Sequence, residues 1–132
     1  MNLLKQNDHK QMGFKRFLLS FKYSFAGLAY AYKNEQSLFL HAVGSLFAII
    51  FGIILHISFA EWAIILISLV VVLAVELLNT AIEATVDLIT KDIHPLAKIA
   101  KDCASAAAFV SGIAAVIICL FIFIPKFMII FS

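Results

Sequence analysis

Residues 62–87 read Trp62-Ala-Ile-Ile-Leu-Ile-Ser-Leu-Val-Val-Val-Leu-Ala-Val75-Glu76-Leu-Leu-Asn79-Thr-Ala-Ile-Glu83-Ala-Thr-Val-Asp87. The stretch through Val75 carries no charge, and the remainder keeps a helical composition while bringing in Glu76, Asn79, Glu83 and Asp87. Those four polar residues stand at i, i+3, i+7 and i+11, which places them in one narrow stripe on a helix turning about 100° per residue. Counted from Trp62 at about 1.5 Å per residue, Glu76 lies about 21 Å and Asp87 about 37 Å along the helix, against a hydrocarbon thickness of about 30 Å. The segment reads as a membrane helix whose acidic stripe begins inside the bilayer and climbs out of it.

The rest of the chain fits that reading. Of its 132 residues, 64% are hydrophobic and 14% charged, whereas a water-soluble domain keeps about 45–50% apolar and about 25% charged residues. A soluble globular protein is therefore excluded, and the expected fold class is an all-α integral membrane protein forming one domain. Residues 1–13 are polar and expected to be flexible, without the early apolar stretch of a cleaved signal peptide. Over 14–33, Phe14, Phe17, Leu18, Phe21, Phe25, Leu28 and Tyr32 recur at helical spacing while Lys15, Lys22 and Lys33 occupy another face, which predicts an amphipathic helix on the membrane surface. Transmembrane helices are expected over 35–60, 62–89 and 97–124, the last starting after Pro95 and ending near Pro125. Nine of the ten Lys and Arg residues lie before the first span or around the 90–96 loop, and only Lys126 lies beyond the third span. By the positive-inside rule the N-terminus and that loop are cytosolic and the C-terminus is outside.

An acidic residue at the centre of a membrane helix costs about 2.5–3.5 kcal/mol on insertion scales, so carboxylates kept there point to function. The third span answers with Lys98, Lys101, Asp102 and Ser105 at i, i+3, i+4 and i+7, and Asn34-Glu35 supplies a further acid at the entry to the first span. Asp87, near water, suits an ion pair as well as a functional role. Glu76 and Glu83 ask for more positive charge than Lys101 alone, and a bound cation is the natural complement. His41 and His56 read as packing or interfacial residues, and the small residues from Ala104 to Ala115 as a close helix-packing face. Cys103 and Cys119, about 24 Å apart on one helix, cannot form an intrachain disulfide. No GxxxxGK[ST] loop is present. From residues alone, this is metal-dependent chemistry or ion coupling at the cytosolic membrane face; a small cation-coupled transporter is the alternative from another class.

The run from Glu76 to Asp87, followed by Ala100-Lys101-Asp102 and Ser105-Ala-Ala, closely resembles the signature of the prokaryotic diacylglycerol kinase family. The resemblance extends from about Gly13 through the third span. It implies a homotrimeric membrane lipid kinase, with a surface helix and three transmembrane helices per subunit, in the bacterial plasma membrane. Such enzymes pass the γ-phosphate of Mg-ATP to a lipid hydroxyl at sites shared between subunits. On that resemblance Glu76 is the general base, and Glu35 and Glu83 hold Mg²⁺. Asn79, Lys101 and Asp102 are further active-site residues, Lys101 and Asp102 also serving the nucleotide. Arg16, Tyr23, Asp92 and His94 contact the nucleotide, and Glu76 and Ser105 meet the lipid. The run 94–102 and His41, six residues after Glu35, resemble the Gram-positive branch, whose members prefer undecaprenol; diacylglycerol is the alternative substrate.

Overall fold

A computed structural model describes residues 13–131, so the flexible segment expected over 1–13 lies almost wholly outside the described residues. The described chain is helical: α1 is Phe14–Asn34, α2 Gln36–Ile54, α3 Phe59–Ile89 and α4 Pro95–Phe131. It falls into two compact units, one ending at Asn34 and the other beginning at Glu35.

In the first unit, the Gly13 carbonyl accepts from the amides of Arg16 and Phe17 and starts α1. The rings of Phe17 and Phe21, one turn apart, meet edge to face with centroids 5.0 Å apart, a favoured aromatic geometry. Asn34 closes the helix by donating from Nδ2 to the Tyr30 carbonyl at 2.7 Å.

In the second unit, α2, α3 and α4 are each long and apolar enough to cross a membrane. The core of this unit joins Ala48, Leu55, Ile57, Ile65 and Phe123, with Trp62, Leu69, Cys119 and Ile122 packed against it. Trp62 covers Gly52: a Cβ added there would stand 2.7 Å from Trp62 Cη2. Ala104, Ala108 and Ala115 are buried along α4, as the packing-face reading expects, because small side chains let apolar helices approach closely. Both cysteines are free thiols.

The boundaries differ from the sequence reading at three places, each for a local reason. The first span was expected to run to 60, but α2 stops at Ile54. His56 adopts the left-handed conformation (φ +48°); its amide donates to the Ile53 carbonyl, and the Ile57 amide donates to that of Gly52, both at 3.2 Å. That crossed pair is the Schellman ending, usually made with Gly or Asn. The next helix begins at Phe59 rather than 62 because Ser58 and Glu61 form a capping box: the Ser58 amide donates to Glu61 Oε2 at 2.6 Å, and the Glu61 amide donates to Ser58 Oγ at 3.3 Å. Pro125, expected to end the last helix near 124, lies inside α4. Phe51 of α2 packs against Phe123 and Phe127, with centroids 6.1 and 5.9 Å away, so contacts on both sides of the proline hold the helix in line. Within a bilayer, breaking it would also expose backbone groups that have no water to meet.

The other end of the unit is shaped by the 90–94 connection. Thr90 Oγ1 accepts from the Asp92 amide at 3.1 Å. His94 Nδ1 accepts from the Leu96 amide at 3.2 Å, capping α4 where Pro95 supplies the first helical residue. Below it α3 and α4 run antiparallel, which brings the acidic stripe of one beside the small-residue face of the other.

Candidate active site

Glu76 is the deepest acid, with 3% of its surface exposed. Both of its carboxylate oxygens are engaged from α2: His41 Nε2 lies 2.8 Å from Oε1, and Ser37 Oγ donates to Oε2 at 3.0 Å. Ser37 and His41 are one helical turn apart, so they reach the carboxylate from the same side. One turn along α3, Asn79 is buried and donates from Nδ2 to Glu83 Oε1 at 3.1 Å, while its Oδ1 is buried without a hydrogen-bond partner. An unsatisfied buried acceptor carries a desolvation cost of about 1–3 kcal/mol, which a donor arriving with a substrate would relieve. The stripe thus grades from buried Glu76 and Asn79 through half-buried Glu83 to exposed Asp87.

A cavity of about 510 Å³ opens beside Glu76. Its polar wall is Ser37, His41, Glu76, Asn79 and Ser105, and its apolar wall comes from α4, including Phe109 and Ile113. A polar corner set into an apolar chamber suits a molecule with a small hydrophilic head and a hydrocarbon tail.

Glu35 adjoins this cluster at the start of α2. Burial, then the neighbouring charges of Glu83 and Glu76, push its carboxyl above the ordinary value near 4.5. Among the described residues, no group of three His, Cys, Asp or Glu side chains converges as an ion cage. Mg²⁺, however, is usually held by one or two carboxylates together with substrate phosphates. The mutual repulsion of Glu35 and Glu83 marks where a divalent cation would be favourable, so the donor set fits that ion.

The remaining expected site residues are distributed differently. Ser105 lines the cavity. Lys101 and Asp102 do not turn toward Glu76: Lys101 Nζ pairs with Asp87 Oδ1 at 2.5 Å, and Asp102 pairs with Lys98. Asp92 and His94 lie in the α3–α4 connection, with their local groups engaged in turn and cap. Arg16 and Tyr23 lie on α1, in the other unit. Ser37 and His41 were absent from the expected set. His41 is expected from sequence to be a packing or interfacial residue; the available signal is its position at i+4 from Ser37 and i+6 from Glu35, which gains meaning only once α2 lies beside Glu76.

A sequence model described as Prokaryotic diacylglycerol kinase matches residues 22–123. The chain is 40% identical over 123 residues to a protein of Bacillus subtilis named undecaprenol kinase, covering 93% of this chain and 99% of that one. It is 41% identical over 101 residues to the diacylglycerol kinase of Pseudomonas aeruginosa, covering 76% of this chain and 82% of the relative. With the diacylglycerol kinase of Escherichia coli K12 it shares 37% over 105 residues, covering 80% and 86%. The chain belongs to the prokaryotic diacylglycerol kinase family, and the Bacillus relative lies on the branch that residues 94–102 and His41 resemble. It is a membrane protein and an ATP-dependent lipid kinase. The transporter alternative falls with that membership.

Proposed function

We propose that the chain transfers the γ-phosphate of Mg-ATP to the hydroxyl of undecaprenol, giving undecaprenyl phosphate, with Glu76 as general base. The observation that carries the chemistry is the Glu76 carboxylate, buried at the polar corner of an apolar cavity. The choice of lipid rests on the name of the Bacillus relative and on the near-complete overlap of the two chains. Diacylglycerol is the second reading, supported by the names of the Pseudomonas and Escherichia relatives.

Phosphoryl transfer needs positioning and charge neutralisation more than covalent help from the protein. The lipid oxygen bonds to the γ-phosphorus as its proton passes to Glu76, and the bond from phosphorus to the β–γ bridging oxygen breaks, its electron pair leaving with ADP. Glu35 and Glu83 would hold Mg²⁺, which supplies charge neutralisation at the transferring phosphate. Asn79 orients Glu83 through its amide. Ser105 faces the lipid headgroup, while Lys101 and Asp102, with Arg16, Tyr23, Asp92 and His94, serve the nucleotide.

Membership of the prokaryotic diacylglycerol kinase family, whose members the sequence resemblance takes to be homotrimers, supports a homotrimer with sites shared between subunits. The nine-to-one division of basic residues supports a cytosolic N-terminus and site, and α1 is proposed to lie on that membrane surface.

The test of substrate is direct. Radiolabelled γ-phosphate from ATP is followed into undecaprenol and diacylglycerol presented in the same bilayer. Higher catalytic efficiency on undecaprenol is expected; higher efficiency on diacylglycerol reverses the choice, and labelling of neither removes the function.

A further inference from the structure

The contact between His41 and Glu76 has a second anchor on α4. A Cβ built on Gly112 would stand 3.1 Å from His41 Cε1 and 4.0 Å from Nε2, so the absence of a side chain at 112 leaves the imidazole its place. The same ring and the same glycine line both the cavity at Glu76 and a second, more apolar cavity running past Gly44, Phe47 and Phe51. The imidazole is thus the partition between the polar corner and the hydrocarbon chamber, and its edge carries the contact to the carboxylate.

From this geometry we infer that His41 is a positioning residue for Glu76, seated by Gly112, and that the pair fixes the direction in which the Glu76 carboxylate meets the lipid hydroxyl. The inference rests on Glu76 being the base. Acting as the base, the Glu76 carboxylate only accepts hydrogen bonds; in that role His41 presents its Nε2–H to Oε1 and Ser37 donates to Oε2. With one donor on each oxygen the carboxylate cannot rotate about its last torsion, and each oxygen keeps a lone pair for the incoming proton. Alignment of this kind is worth rate: a displacement of about 1 Å at a reacting group can cost about 10²-fold.

The test uses full-length protein in bilayers and compares His41→Gln, His41→Leu, Gly112→Ala and Glu76→Gln, each checked for folding by thermal unfolding in detergent. His41→Leu should lower kcat by about 10²-fold with little change in KM for ATP. His41→Gln, which restores an N–H donor, should recover much of that loss. Gly112→Ala, whose added Cβ would crowd His41 Cε1 at 3.1 Å, should lower kcat in the same direction by pushing the ring off its seat. In the double variant His41→Leu/Glu76→Gln, the His41 loss should vanish, because there is no longer a base to aim.

If the two losses multiply, or if His41→Gln is no better than His41→Leu in folded protein, His41 acts only in packing and the inference is overturned. Near-wild-type turnover in Glu76→Gln instead removes the base assignment itself, and that result is separate from any His41 phenotype.

Discussion

Lys101 on α4 and Asp87 on α3 form an ion pair, Nζ to Oδ1 2.5 Å, one helical turn beyond Glu83 at the polar end of the stripe. Asp87 takes the direct contact of the lysine, whose charge also acts on Glu83, one of the two acids proposed to hold Mg²⁺.

Removing either partner should separate structure from catalysis. Asp87 is largely exposed, and exposed ion pairs are worth about 0–1 kcal/mol, so Asp87→Asn should leave the thermal midpoint nearly unchanged. Lys101→Met should raise KM for ATP by about tenfold or more, since a hydrogen bond to a charged group contributes about 1.5–3 kcal/mol. Thermal unfolding checks the first and steady-state kinetics over ATP concentration the second; an unchanged KM in Lys101→Met would confine the lysine to the ion pair.

For Glu35 and Glu83 the expected signature couples metal, nucleotide and pH. Glu83→Gln should raise the Mg²⁺ and ATP requirements with lipid affinity unaltered; the reverse pattern would remove the metal assignment. Glu35 has a carboxyl raised in the folded protein by burial and by Glu83 and Glu76. Its contribution to stability is thus intact below its ordinary value near 4.5 and is lost as pH rises through the raised folded value. In metal-free protein, Glu35→Gln should therefore raise the unfolding temperature at neutral pH and leave it unchanged below that ordinary value. A lowered midpoint at neutral pH would contradict this.

Gly52 sets how closely α2 approaches α3. A Cβ there would meet Trp62 at 2.7 Å, and overpacking a core typically costs about 1–3 kcal/mol. Gly52→Ala should lower the thermal midpoint in detergent, and Trp62→Phe in the same chain should restore part of it. Equal stability of Gly52→Ala and wild type would show that Trp62 swings away freely.

Much of this was legible in the chain. The three apolar spans, the polar stripe from Glu76 to Asp87 and the small-residue face of α4 follow from periodicity, which is a property of neighbours in sequence. The α2 ending was not, because His56 takes a conformation usually left to Gly or Asn. The capping box at Ser58-x-x-Glu61 was present as a motif but straddled the expected junction between the spans ending at 60 and starting at 62, so the helix start it marks fell inside the end of the first span. Pro125 misled for the opposite reason: its local tendency to end a helix is overridden by Phe51 packing on both sides of it. The site divides in the same way. Glu76, Asn79 and Glu83 share one face of one helix and could be seen together, whereas the grip of Ser37 and His41 on Glu76 depends on how α2 crosses α3. The partner of Lys101 likewise depends on the register of α4, and an i+3 spacing cannot reveal it.

The central claim is that Glu76 takes the proton from the lipid hydroxyl, and turnover of Glu76→Gln on undecaprenol with saturating Mg-ATP tests it most directly. The substitution keeps the shape of the side chain and one hydrogen-bonding oxygen while removing the basic one. General-base assistance contributes about 10²–10⁴-fold, so kcat should fall by that factor with ATP affinity and thermal stability close to wild type. Near-wild-type turnover in folded Glu76→Gln would contradict the claim and pass the role to another acid, with Asp102 the next candidate.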